Sequence, residues 1–105
     1  MKKMSLVLRL GLLQYAIEEI KALGFTKKGT AVESYRYNYY KQTSVGEIGI
    51  TPKIEDYGIA FYAMFDNVQL AKTKFDCNPF SGKHNHLFLV TKDDIRNVLS
   101  LYKDI

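Results

Sequence analysis

The sequence predicts an α+β fold: a two-layer sandwich in which a mainly antiparallel sheet of four or five strands is covered by an N-terminal and a C-terminal helix. Three observations predict it. Residues 5–23 carry apolar side chains at three- and four-residue intervals. Residues 32–75 form a succession of short segments, most of them alternating with period two, with turn residues between them. Residues 91–102 return to the helical period. The connections are short, so successive strands are expected to pair antiparallel. A chain of 105 residues suits one domain, 1–105, with one core. Its 47% hydrophobic and 25% charged residues are ordinary for a globular protein.

In the first segment, Leu6, Leu10, Leu13, Ile17 and Ile20 form the stripe expected to be buried. Gly24 follows the last periodic residue and Phe25 comes next, as in a left-handed C-cap with a hydrophobic contact behind it. Met4, Leu8, Gly11 and Tyr15 fall on nearly the opposite side of the helix. A helix packed through one face does not need a second apolar stripe. Either the helix is buried on both sides or its outer face meets another chain, and a homodimer is the favoured partner.

Lys27-Lys28-Gly29-Thr30 reads as a polar turn. From Val32 to Gln42, Tyr35, Tyr37 and Tyr39 alternate with Arg36, Asn38 and Tyr40, the pattern of a half-buried strand. Thr43-Ser44 marks a turn. Val45 to Ile54 reads as a strand in which Pro52 calls for an edge or strand-end position. Glu55-Asp56-Tyr57-Gly58 reads as a hairpin turn. Ile59 to Phe65 is apolar on both faces and therefore central. Val68 to Phe75 reads as an edge strand protected by Lys72 and Lys74, with a short helix over 68–72 as the alternative. After His84 to Val90, another strand, Thr91 and Asp94 form a capping-box pattern ahead of the stripe Ile95, Val98, Leu99 and Tyr102.

Composition narrows the function classes. No apolar run approaches the roughly 20 residues of a bilayer span, so no membrane partner is expected. The opening Met1-Lys2-Lys3 and Leu6-Val7-Leu8 imitate a signal peptide, but Arg9 interrupts the apolar run and no small-residue cleavage site follows. One cysteine cannot form an internal disulfide, and the expected location is cytoplasmic. The net charge of +4 raises nucleic acid as a partner. However, the cations are interspersed with acids, whereas phosphate tracking needs them clustered. Nucleic acid is therefore a weighed partner that is not favoured.

The stretch from Asp76 to His86 holds the only cysteine and both histidines, with Pro79 and Gly82 at turn spacing. His84 and His86 are two apart on a strand and share a face. Cys77, His84 and His86, with Asp76 beside them, are ligand types suited to zinc, although this is far less specific than paired CxxC motifs. A histidine with Lys83 could serve acid–base chemistry on a phosphodiester, as in a small hydrolase or nuclease, and Ser81 or Cys77 could be a nucleophile. His84-Asn85-His86 does not make an HNH endonuclease, because the longer ββα-metal motif is absent. The plainer reading is preferred: turn residues, a small buried thiol and histidines bonded to backbone, with no catalysis, metal or cofactor. For binding, Tyr35, Arg36, Tyr37, Tyr39, Lys41 and Tyr62 are the candidates, since tyrosines beside cations can stack bases or meet a ligand. The competing account packs those tyrosines beneath a helix, and it is favoured because no RNP-like motif accompanies them.

Asn78-Pro79-Phe80-Ser81-Gly82-Lys83-His84-Asn85-His86 loosely resembles an N-P-x-S-G-K-x-N-x-H stretch in small bacterial proteins carried on mobile DNA of the integron gene cassette type. Here His86 follows Asn85 directly, a departure from that form. The likeness covers about a tenth of the chain and brings no assigned catalytic residues. It implies a small stand-alone bacterial binding or accessory protein. The overall expectation is a binding module for a protein or small-molecule ligand rather than an enzyme.

Overall fold

The computed structural model describes residues 3–27, 38–44, 46–65 and 83–103, with residues 83–88 described by their backbone alone. The order is α1 (Leu6–Ala22), β1 (Thr26–Lys27), β2 (Tyr39–Thr43), β3 (Gly46–Glu55), β4 (Gly58–Phe65), β5 (Lys83–Leu89) and α2 (Lys92–Leu99), closed by a 3-10 turn at Ser100–Tyr102. The strands form one antiparallel sheet in sequential order, β1 to β5, and both helices lie against its same face. This is the predicted α+β two-layer sandwich. No helix among the described residues is long and apolar enough to cross a membrane.

Helix α1 starts at the Ser5 N-cap, whose hydroxyl accepts from the Leu8 amide. It ends at Gly24, where φ is +95°, and Phe25 folds back into the core. The buried stripe corrects the expected one. Leu12, Ala16 and Ile20 face the sheet, with Leu13 and Ile17 packed at their flank, while Leu6 and Leu10 are exposed. The second stripe also divides. Met4 and Tyr15 pack against the core, and only Leu8 and Gly11 stay outside. Close packing explains the choice: Ala16, with no exposure, is the small residue that lets the helix approach the sheet.

Lys27, expected to open a polar turn, is instead the second residue of β1, and the rest of that expected turn, Lys28-Gly29-Thr30, lies outside the described residues. In this two-residue strand Thr26 stands opposite Tyr40 and Lys27 opposite Tyr39. Across the sheet, Tyr39, Ile50 and Ala63 share a level on the helix-covered face, as do Ile48 with Phe65 and Ile54 with Ile59. Pro52 sits inside β3, opposite Phe61 of β4, but beyond the last β2 pair, Tyr39 with Ile50, so on its other side it has no described strand partner, the edge-like position expected for it. Strand β4 is paired on both sides, as its two apolar faces require. Its pairing with β5 slips by one residue between Ile59 and Phe61, where Ile59 meets Leu89 and Phe61 meets His86. The expected strand over 68–75 lies outside the described residues.

Helix α2 has a complete capping box. The Asp94 amide donates to the Thr91 hydroxyl at 3.1 Å, and the Asp94 carboxylate accepts from the Val90 and Thr91 amides at 3.0 Å each. Ile95, Leu99 and Tyr102 are the buried positions. The Tyr102 ring stacks on Phe65 at 6.1 Å and meets Phe25 edge-on at 6.3 Å, fastening the end of the chain to the core. The Val90 amide first, and then Thr91, hold the Asp94 carboxyl below its ordinary value, with partial burial opposing them. A depressed carboxyl contributes stability that is full above its unfolded value near 3.8 and is lost as pH falls through the folded value. Asp94→Asn should therefore flatten the acid limb of the stability curve below that pH. Thr91→Ala should cost about 1 kcal/mol at neutral pH in a urea melt.

Candidate functional site

The predicted site residues do not assemble into one place among the described residues. Tyr35, Arg36 and Tyr37 lie outside the described residues, as do Asp76, Cys77 and Ser81. Tyr39 is a core residue on the helix-covered face, opposite Ile50. Lys41, on the same side, holds its ammonium 5.9 Å from the Phe25 ring centroid. Tyr62 pairs with Thr51 and belongs to the other face. By register, His84 and His86 sit opposite Ala63 and Phe61, both fully buried, while Lys83 and Asn85 sit opposite Met64 and Tyr62. The two histidine positions thus share one side of the sheet, as predicted, and that side is the one the helices cover. No cluster of three His, Cys, Asp or Glu that could hold a metal occurs among the described residues.

Two surfaces stand out instead. One is a groove of mixed, mainly apolar lining and about 730 Å³ along the second half of β3, formed by Leu13, Asn38, Thr51, Pro52, Lys53, Ile54 and Tyr62. Its polar groups are engaged with neighbours. The Tyr62 hydroxyl donates to the Glu55 carboxylate at 3.0 Å, and the Lys53 ammonium lies 5.7 Å from the Tyr62 ring centroid. The hydrogen bond donated to Glu55, which ionisation would break, pushes the phenol up, followed by desolvation and then by repulsion from the Glu55 carboxylate.

The other surface is aliphatic, and the sequence reading captures only part of it: it places Met4, Leu8 and Gly11 on an outer stripe but expects Leu6 and Leu10 to be buried. In the first half of α1, Val7 is 79% exposed, Leu8 62%, Leu6 55% and Leu10 49%, and Val90 at the head of α2 is 40% exposed. Val7 and Leu8 help line a shallow groove of about 290 Å³ together with Met4, Gly11, Val90 and Lys92. The Lys92 ammonium lies 5.1 Å from the Tyr15 ring centroid. Partial desolvation first, and then Glu19, push the Tyr15 phenol up, with Arg96 opposing. The patch has a fixed attitude. The Met4 amide donates to the Asp56 carbonyl at 3.0 Å, an Arg9 guanidinium N–H donates to the Glu55 carbonyl at 3.1 Å, and Lys3 pairs with Asp56 at 3.6 Å. The helix start is thereby tied to the β3–β4 turn. A signal was present in the sequence: Leu12, Ala16 and Ile20 form an equally regular stripe, and choosing it leaves Leu6 and Leu10 outside.

Arranged this way, the described surface offers apolar area for contact and no assembled set of reactive groups. No protein-family model matches the chain, and comparisons with curated proteins and with solved structures return no similar protein.

Proposed function

We propose that the protein is a non-enzymatic binding module, a small stand-alone accessory protein that works through contact with another chain, most simply a second copy of itself. The observation that carries this reading is the exposure of four large aliphatic side chains around the first half of α1, with Val7 and Leu8 flanking Gly11 and Leu6 and Leu10 toward the other side. Aliphatic exposure concentrated in two helical turns, with Val7 and Leu8 sharing a groove with Met4, Gly11 and Val90, points to an interaction site, whereas isolated exposed apolar residues carry no such meaning. The lone cysteine suits a cytoplasmic setting, and the resemblance of residues 78–86 to mobile-element proteins supports a bacterial accessory role. The competing chemistry at His84, His86 and Lys83 draws less support, because the histidine register positions fall on the covered side of the sheet.

The test is analytical sedimentation of the native protein and of a Val7→Glu, Leu8→Glu variant over a rising concentration series. Self-association that the variant loses is the expected result, with unfolding free energy changed by less than about 0.5 kcal/mol at these exposed positions. A strictly monomeric native protein at the highest concentrations would remove the self-association reading.

A further inference from the structure

We infer that two copies pair through α1 itself, antiparallel about a two-fold axis, with Gly11 at the point where the helices cross. The inference rests on the self-association reading above and specifies its geometry. Gly11 lies in the interior of α1, where glycine lowers the folded-to-unfolded ratio about two- to fivefold relative to alanine. Nothing among the described residues requires it there. A Cβ built on Gly11 meets no atom within 4 Å, and its backbone does not adopt a positive φ. A glycine that costs helix stability without serving its own chain is accounted for by close approach of something outside the chain.

The surroundings of Gly11 identify that partner. Val7 and Leu8, exposed one turn before it, form a raised wall of the groove whose remaining lining includes Met4, Gly11 and Val90. A two-fold interface requires protrusion and recess on the same surface, because each copy must fill the other. This surface has both.

Charge then sets the direction. Lys3 stands just ahead of α1, and its first turn contains no acid, while near its far end Glu18 and Glu19 outnumber Lys21. A parallel pair would set Glu18 and Glu19 against their own copies and Lys3 against Lys3. An antiparallel pair crossing at Gly11 brings Lys3 to the level of the second copy's Glu18 and Glu19. The helix dipoles, opposed in that arrangement, also favour it. The Lys3 contact with Asp56 does not compete strongly, since both side chains are more than 60% exposed in that ion pair.

The experiment uses substitutions at position 11, with sedimentation to read association and denaturant melts at low concentration to read the monomer. Gly11→Ala is expected to raise the monomer's folded-to-unfolded ratio about two- to fivefold while weakening association. Gly11→Leu is expected to weaken association about tenfold or more by forcing the helices apart. In a Cys77→Ser background, Gly11→Cys should cross-link under mild oxidation, because bridged cysteines need Cα atoms within about 7 Å. If Gly11→Leu and Gly11→Cys leave association unchanged and uncross-linked while Val7→Glu, Leu8→Glu abolishes it, the crossing is overturned and the surface reading stands. If the native protein does not associate at all, both fall.

Discussion

Replacing Gly58 with alanine is expected to destabilise the protein by about 3 kcal/mol or more, and Gly58→Val by more again. Gly58 closes the β3–β4 turn opposite Glu55 and is buried beneath the junction of β5 and α2. A Cβ there would stand 2.5 Å from the Leu89 carbonyl oxygen, 3.1 Å from the Leu89 carbonyl carbon and 3.2 Å from a Val90 methyl. The first two obstacles are backbone atoms. Leu89 is paired to Ile59, so β5 cannot retreat without disturbing the last pair of that ladder, and Gly58 cannot retreat without opening the hairpin. Urea denaturation should show a lower midpoint with an unchanged slope. A loss below about 0.5 kcal/mol would mean that the strand end yields freely, contrary to the packing described.

The second large effect is a contrast along α1. Ile20→Ala should cost about 2–5 kcal/mol, because Ile20 is fully buried and its removal leaves a cavity that the sheet cannot fill. Leu10→Ala should cost less than about 0.5 kcal/mol, because half of that side chain is already in water. Both belong to the regular stripe that the sequence suggests, so equal costs would restore that stripe and contradict the structure. Melts at a concentration low enough to keep the protein monomeric separate this comparison from any effect at an interface.

Where local chemistry decides the outcome, the sequence was readable. Thr91 and Asp94 satisfy each other's neighbours within one turn, and that helix starts where the pattern places it. Gly24 with Phe25, and Glu55 through Gly58, were legible for the same reason. The alternation of Ile59 to Phe65 gave both its strand and its central place. Where two faces compete, the sequence was ambiguous. Helix α1 has leucines around most of its circumference in its first half, so periodicity alone fits two stripes that share Ile20. Tertiary packing chose between them through the smallness of Ala16. Thr26–Lys27 was missed because two residues have no period to detect. The histidine pair was correctly given a common side, but which side that is depends on register with β4, which no local pattern contains.

The slipped pairing between β4 and β5 has a consequence for parity. His86 and Leu89 are three apart, an odd separation, yet they meet Phe61 and Ile59, which belong to the same side of β4. An uninterrupted strand alternates sides at every residue and could not do this. The one extra residue reverses the alternation partway along β5, so Leu89 arrives on the core side instead of turning away from it. Everything after Leu89 inherits that phase. Val90, the Thr91 cap and α2 come off the strand on the side where α1 already lies. A chain shorter by one residue there would present Leu89 to the opposite face and launch its last helix half a turn away from the core. The two-layer architecture therefore depends on a residue count as well as on residue types.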